Sequence, residues 1–490
     1  MASSIPHNKD PSTLYFAPTT TGVSYLPGIT EESRKTLTEL LQKNHDEHYI
    51  FFNNEGFHNH LVHELLAKYA LGATPELLRA SYKNNADYQK PLPKADETIV
   101  SELRDNQESA EVWKKHLGKR ERYAEFLGFF KSEIERDGME NTIKKFLFAG
   151  TEVSETMLAR LLAGFVHPYI HLGYAIEFKS APIAAEALAQ TAAHEDWIGT
   201  DFLFPAEQAA KKHAEANGTD NPAAFLSLLY DVHNDEALRT SPLWSDSNKI
   251  EGILSRNREN IISIASKVHV NSETLEQQTA ESINMATTLC AGSIRPDKVI
   301  AFDFFLMHSN NSSIFSTAIN QQDWIPTEIK VRLLEWKVRY DLILYASRRA
   351  PKLYIDEVRN YTGPFSETYY KQIYDSKPSK GRLDVPVGNP WLSLIDECLK
   401  IKDDGHTIKM VRAIMHAEEA CKGFAQDGDG YLDKPEMFRN YAGMVVDSAV
   451  RANGDHIWIR STGFDEAWEG VPDRHQEKGN LKGAFNGGET

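Results

Sequence analysis

The chain has 490 residues, of which 41% are hydrophobic and 25% are charged, so it is a globular protein with several modules or one large helical domain. Its formal net charge of -16 argues against nucleic acid or an anionic membrane as a partner, because both would repel it.

The cysteines indicate a reducing compartment. Cys290, Cys398 and Cys421 are far apart and lack CxxC spacing, so neither a disulfide framework nor a thiolate metal site is expected. The first residues contain no apolar leader segment, and no run of about eighteen apolar residues follows. We therefore expect a cytoplasmic protein without a membrane partner.

The expected fold is mainly α, a large irregular helical bundle with short strands in the N-terminal arm and the C-terminal tail. Residues 1–30 are predicted as this arm, because positions 11–30 are rich in Thr, Gly and Pro. From 31 to 350, apolar residues at spacings of three and four predict a helical core. No alternation of strands and helices is visible, which argues against a doubly wound sheet.

The C-terminal part, residues 351–475, is predicted to mix helices with irregular segments. Residues 376–391 carry closely spaced Pro and Gly, so we expect a lid or linker there, and a further helix at about 405–422. Residues 476–490 are polar and contain Gly, which predicts a frayed tail.

Histidines embedded in apolar helical sequence are the strongest chemical signal. A buried imidazole needs a polar partner, and a shared metal ion supplies one for several rings at once. The alternative is that each ring is a core residue with its own hydrogen-bond partner. Six of the 18 histidines belong to this set: His58, His60, His63, His167, His171 and His308.

The phase of the first helix ranks its three histidines. A helix starting near Phe57 would place His58 on the apolar stripe and both His60 and His63 roughly opposite it. His63 shares a flank with Leu66 and Ala70, so it could reach a site if the helix is buried on all sides. His58 is therefore the preferred ligand, His63 is a contested one, and His60 is expected to act in a supporting role.

His167 and His171 are four residues apart, so one helical turn would aim both imidazoles the same way. Pro168 cannot donate to the carbonyl of Gly164, which predicts a kink with room for a ligand. His308 lies on an apolar stripe of its own helix. The predicted metal ligands are thus His58, His63, His167, His171 and His308.

The identity of the metal follows from its ligands. Imidazole suits Zn, Fe, Cu and Ni, and the absence of paired cysteines removes the soft-ligand metals. Iron oxygenases usually add a carboxylate, yet spacing singles none out; Glu64, Glu177 and Asp303 merely share the histidine-bearing segments. The sequence therefore does not identify an anionic ligand for the metal.

The other motifs in the sequence are weaker evidence of function. The segment 425–436 matches an EF-hand loop except at its first ligand position, Ala425, so an acidic turn is favoured over a calcium site. His45-Asp46 resembles the HD pair of metal-dependent phosphohydrolases, but its polar surroundings favour a solvated face. His194-Glu195-Asp196 is ambiguous. No Rossmann, P-loop or G-x-S-x-G motif occurs, so no flavin is expected.

Four long segments carry a family resemblance: FFNNEGFHNHLVHELLAKYALGATPELL, AGFVHPYIHLGYAIEF, FFLMH and STGFDEAWEGVPDR. With them, the chain resembles the questin oxidase-like family of fungal secondary-metabolite enzymes from about residue 50 to 474. The resemblance implies oxidative opening of the central quinone ring of an anthraquinone, formally like a Baeyer–Villiger oxidation. The expected partner is thus a small aromatic polyketide substrate.

Together, the histidines and the resemblance predict an oxygenase in which Fe(II) activates dioxygen beside a flat aromatic substrate. Tyr69, Phe304 and Phe305 are the expected pocket residues, and Tyr174 and His60 are the candidates for handling phenol and enol protons. The alternatives are cofactor-free oxygenation through a substrate carbanion, an NADPH-dependent Baeyer–Villiger-type monooxygenase and a helical metal-dependent hydrolase. A non-catalytic binding protein would leave the histidines unexplained.

Overall fold

The computed structural model of the chain describes residues 9–218, 222–366, 389–424, 430–452 and 458–474. The predicted fold class is confirmed, because these residues are mainly α-helical. In chain order the helices are α1 Glu31–Glu47, α2 Leu61–Ala70, α3 Pro75–Ala86, α4 Glu97–Asp105, α5 Ala110–His116, α6 Tyr123–Asp137, α7 Met139–Ile143, α8 Glu152–Leu161, α9 Ala163–Glu177, α10 Ala181–Ala193, α11 Phe204–Asn217, α12 Phe225–Asn234, α13 Glu236–Thr240, α14 Lys249–Ala265, α15 Leu275–Gly292, α16 Leu306–Asn320, α17 Thr327–Ser347, α18 Ile355–Arg359, α19 Trp391–Leu399, α20 His406–Ala420 and α21 Pro435–Ala452.

The core lies where four of these helices meet. Helix α9 packs against α2, α10 and α16, and α20 packs against both α2 and α16. Every residue of α10 is buried, which is typical of a helix that is apolar on all sides and enclosed by neighbours. Helices α2, α9, α16 and α20 carry most of the functional residues described below.

Two short strands, β1 Phe302–Asp303 and β2 Trp458–Ile459, pair in parallel. The predicted strand in the C-terminal tail is therefore present. The strands predicted in the N-terminal arm are wrong for residues 9–30, which contain none. The backbone of this arm bonds to helix ends and side chains instead: the N–H of Leu26 donates to the carbonyl of Ala70 at 2.9 Å, and that of Leu14 to Oε1 of Gln42 at 2.8 Å.

Helix α2 begins later than its sequence pattern predicts. Residues 48–60 are not helical, and Phe51 and His58 form an isolated antiparallel bridge. The reason is Asn59, whose Oδ1 accepts the N–H of Leu61 at 3.0 Å and closes a turn just before the helix. The predicted helix start near Phe57 is therefore wrong, and the helical phase assigned to His58 does not apply.

Helix α9 contains a sharp break. Gly164, Phe165 and Val166 have φ angles of 54°, 53° and 59°. This is a left-handed backbone conformation that residues other than glycine rarely adopt. The predicted kink is therefore present, but it precedes Pro168. The proline lies in the first turn after the break, where the missing N–H removes no helical hydrogen bond.

Three predicted segments fall mostly outside the described residues: positions 376–388 of the lid or linker, 425–429 of the EF-hand-like loop, and the tail 476–490. Residue Trp391 of the lid or linker begins α19. Within the described part of the chain, none of the helices is both long and apolar enough to cross a membrane.

Candidate metal centre

Eight buried histidines form one continuous group in the core, in which each ring contacts at least one other. We call them the histidine cluster: His58, His60, His63, His167, His171, His194, His308 and His406. They come from α2 and the turn before it, from α9, from the end of α10, and from the starts of α16 and α20.

Three members of the cluster have the geometry of metal ligands. One ring nitrogen each of His60, His167 and His406 lies within 4.8 Å of the others, and all three residues are buried. The Nε2 atoms of His60 and His167 are 2.8 Å apart. Two nitrogens that each bind one metal at about 2.0–2.1 Å would be about 3 Å apart at a right angle, so this spacing suits a shared ion. We call these residues the three-histidine group.

The outer nitrogens of this group establish which atoms carry protons. Nδ1 of His167 donates to the carbonyl of Gly164 at 2.6 Å, and Nδ1 of His60 donates to the carboxylate of Asp404 at 3.1 Å. His406 donates its Nδ1 to the other oxygen of Asp404. Because these oxygens only accept, each neutral ring carries its proton on Nδ1 and a lone pair on Nε2.

Two of these lone pairs face each other across the 2.8 Å between His60 and His167, an arrangement that is repulsive unless a cation or proton lies between them. The Nε2 atom of His406 is buried and has no hydrogen-bond partner among the described residues. The donor set therefore fits a metal ion, with Asp404 as the carboxylate that orients two of the ligands.

His308 repeats the same pattern. Its Nδ1 donates to the carbonyl of Phe304 at 2.8 Å, and its buried Nε2 has no partner. The side chain of Asp303 accepts the N–H groups of Phe305 and Leu306 and thereby caps α16, which fixes the turn that carries His308. The ring centroid of His308 lies 4.9 Å from that of His167, so it is a fourth candidate donor.

The sequence model of the family described as questin oxidase-like matches residues 57–414 of the chain. A Baeyer-Villiger oxidase from Pestalotiopsis microspora is 34% identical over 457 residues, which cover 91% of this chain and 96% of that protein. The questin oxidase of Aspergillus fumigatus is 33% identical over 439 residues, 88% of this chain and 92% of that protein. The chain belongs to the questin oxidase-like family. Because these relatives are named oxidases, it is an oxidoreductase.

In this questin oxidase-like protein, burial lowers the pKa of several histidines of the cluster. Burial lowers the pKa of His60 to about 3, with the charge of Lys409 contributing. Burial also lowers the pKa of Lys409 itself, to about 8. Burial is again the largest cause for four other members, whose pKa values lie well below the ordinary value: His58, His63, His167 and His308.

Asp404 is the carboxylate nearest the three-histidine group. Burial alone would raise its pKa, but the hydrogen bonds and charges of His406 and His60 lower it well below the usual range. The carboxylates considered from sequence are engaged elsewhere. Glu64 pairs with Lys68 and Glu177 with Arg412, while Asp303 caps α16.

A groove of about 520 Å³ opens beside this group. Asp404, Thr407 and Trp458 are among its lining residues, and Asp404 also accepts the Nδ1 protons of His60 and His406. The ring of Phe304 lies 5.2 Å from that of His406 and 6.4 Å from that of Trp458, so aromatic faces stand between groove and cluster. A larger cavity, about 930 Å³, lies at the other ends of α16 and α20 and is lined by Thr317 and His416.

The remaining predicted pocket and catalytic residues are spread more widely. The ring of Phe305 lies 4.5 Å from that of Phe165, and Tyr174 stacks on His63 with centroids 5.3 Å apart. Burial raises the pKa of Tyr174, and its hydroxyl lies beside Arg412. Tyr69 is near the other end of α2, beside Arg34.

The other predicted ligands have partners outside the three-histidine group. Nε2 of His58 lies 2.8 Å from Nε2 of His194, and the His58 ring stacks on that of His167. Both ring nitrogens of His171 are engaged, one by His63 and one by Glu186. The same carboxylate contacts His45, which is buried, so the solvated face predicted for His45-Asp46 is wrong for His45, although Asp46 is exposed.

Two residues of the site were missed from the sequence, His406 and Asp404. The signal was present, since the helix predicted at about 405–422 begins with a histidine that an aspartate and a glycine precede. Its surroundings, Lys402-Asp403-Asp404-Gly405, are polar and gave no indication of burial.

Proposed function

We propose that this chain is an oxygenase that opens the central quinone ring of an anthraquinone in fungal polyketide metabolism, with dioxygen as cosubstrate and non-heme Fe(II) as cofactor. The observation that carries the proposal is the three-histidine group, in which one ring nitrogen of each buried histidine lies within 4.8 Å of the others while the Nδ1 protons are held by oxygen acceptors. The names of the relatives support an oxidation of this kind.

The iron would be held by His60, His167 and His406, with His308 as a further donor. Ferrous iron supplies the electrons that allow dioxygen to react with a closed-shell aromatic molecule. This route needs no flavin, and the sequence contains no nucleotide-binding motif.

The chain's own residues would bind and orient the substrate. A planar polycycle in the groove would contact Trp458, whose ring lies 6.4 Å from that of Phe304 and 6.0 Å from that of His406. Stacked or edge-on aromatic contacts hold such a ring system while leaving its carbonyl and hydroxyl groups directed inward. Asp404, whose side chain is 36% exposed, joins the groove to the ligands and accepts their protons.

A matched pair of histidines on α20 tests the proposal. His406→Ala removes a ligand, whereas His416→Ala removes an equally buried histidine ten residues further on, which bonds to Thr317 and lies outside the cluster. We expect wild type and His416→Ala, purified without oxygen and loaded with ferrous iron, to hold stoichiometric iron and to consume oxygen with 1,8-dihydroxyanthraquinone. His406→Ala should lose both properties.

Other outcomes assign other functions. Full oxygen uptake without any metal would overturn the iron mechanism and favour the cofactor-free route through a substrate carbanion. Uptake that requires added NADPH would favour a Baeyer–Villiger-type monooxygenase, the reaction in the names of several relatives. A bound metal with no uptake would leave the metal-dependent hydrolase.

A further inference from the structure

A chain of hydrogen bonds links four buried residues on one side of the three-histidine group. Nε2 of His63 lies 3.1 Å from Nδ1 of His171, and Nε2 of His171 lies 2.8 Å from Oε2 of Glu186. The other oxygen of Glu186 lies 2.5 Å from Nδ1 of His45. Helices α1, α2, α9 and α10 each contribute one residue.

The carboxylate determines where the protons of this chain lie. Its two oxygens face Nε2 of His171 and Nδ1 of His45, and a carboxylate accepts hydrogen bonds, so each of these ring nitrogens carries a proton. His171 must then donate from Nε2, which leaves Nδ1 as an acceptor. His63 in turn donates from Nε2 to that acceptor, and its own Nδ1 carries a lone pair.

Within the part of the chain that the structure describes, the lone pair of His63 has no hydrogen-bond partner. The Nδ1 atom forms no hydrogen bond with the described residues, and the side chain is completely inaccessible to solvent. Leaving a buried polar atom without a partner is unfavourable, so such atoms usually have a function or a ligand. The ring lies 5.8 Å from that of His60 and 6.4 Å from that of His167, between the three-histidine group and Tyr174.

We propose that Glu186 and His171 are positioning residues that hold His63 in the tautomer whose Nδ1 donates an electron pair to the metal. The inference rests on the proposed metal binding. It adds Glu186 to Asp404 as a second carboxylate that supports the metal ligands. Asp404 orients His60 and His406 directly, whereas Glu186 acts on His63 through an intervening imidazole. A carboxylate that accepts the outer proton of a histidine also raises the basicity of the ring toward a metal.

Glu186→Gln keeps the shape of the side chain and removes its charge. An amide accepts one proton and donates another, so either His171 or His45 must reverse its tautomer. We expect the affinity for Fe²⁺ and for Zn²⁺, measured by chelator competition without oxygen, to fall by about 10- to 100-fold. The control is Gln190→Leu, which changes a buried residue one turn further along α10 whose amide atoms have no partner.

His171→Gln tests the link itself. If Glu186 acts through His171, the double variant should lose no more metal affinity than the weaker-binding single variant, because both changes break one path. Nitrogen-15 chemical shifts of the histidine rings give a readout that does not involve metal: in the wild type, Nδ1 of His63 should be unprotonated and Nε2 of His171 protonated.

Each result decides the inference. A protonated Nδ1 on His63 in the wild type, additive losses in the double variant, an equal loss in Gln190→Leu, or metal affinity within threefold of wild type in Glu186→Gln would each overturn it. If the wild type binds neither metal, the proposed function fails and this inference fails with it. Tight binding by the wild type and by Glu186→Gln alike would refute only this inference.

Discussion

Replacing Asp404 by Asn should weaken metal binding far more than it weakens the fold. The carboxylate accepts the Nδ1 protons of both His60 and His406, so it holds two ligands in the tautomer that exposes Nε2. An Asn side chain has one oxygen acceptor and one N–H donor. One of the two histidines must therefore move its proton to Nε2 and lose its lone pair.

The size of the effect follows from these two contacts. Loss of one outer partner of a metal ligand costs about 10- to 100-fold in affinity, which corresponds to about 1.4–2.7 kcal/mol. Because Asp404→Asn reverses the tautomer of one ligand and keeps an acceptor for the other, we expect a loss of about 10- to 100-fold. The assay is chelator competition with Fe²⁺ in the absence of oxygen, accompanied by thermal unfolding of the metal-free protein.

Asp403→Asn is the matched control. This neighbouring carboxylate accepts the N–H groups of Gly405 and Thr407 at 2.8 Å and so supports the start of α20 without contacting a histidine. Its substitution should lower stability by about 0.5–2 kcal/mol and leave the metal affinity unchanged. The reasoning is refuted if Asp404→Asn binds the metal within threefold of wild type, or if both variants lose affinity equally.

Three further predictions concern stability. Burial lowers the pKa of His416 to about 3 from an ordinary 6.5, so between these pH values only the unfolded chain binds a proton at this histidine. The free energy of unfolding should therefore fall as the pH drops below 6.5, by about 2 kcal/mol at pH 5. In denaturant titrations, His416→Gln should lose less stability over this pH range than the wild type does. A Cβ at Gly173 would collide with the ring of Phe315, so Gly173→Ala should cost about 1–3 kcal/mol in thermal unfolding; an unchanged melting temperature would contradict the packing. The carboxylate of Asp341 lies 2.5 Å from the buried ammonium group of Lys337, so Asp341→Ala leaves this lysine without a counter-ion. The substitution should lower the free energy of unfolding by about 3–5 kcal/mol, and most of this stability should be recovered in a Lys337→Met background.

Local patterns predicted the helices well because apolar periodicity reports directly on burial. The segment carrying His167 and His171 shows this: its helix and its break were both evident from the apolar residues and from Gly164 and Pro168. The ligands proposed from helical phase depended on the helix boundaries as well. The side chain of Asn59 sets the start of α2, and this one contact changes the direction of both His58 and His60.

The missed residues have a different cause. His406 and Asp404 are far along the chain from the other histidines and become neighbours of His60 only when α20 packs against α2. The same is true of Glu186, which reaches His45 and His171 from α10. Spacing within one helix cannot indicate such partners, because they are set by tertiary packing between elements.

Three helices begin at the histidine cluster. His60 is the N-cap of α2, His308 lies in the first turn of α16, and His406 is the first residue of α20. The start of a helix carries about half a positive charge, so the three peptide dipoles add to the positive potential of Lys409. Such a field stabilises anions. It favours an ionised aromatic hydroxyl over the neutral phenol, and it lowers the energy of the negative charge that oxygen acquires when it is reduced.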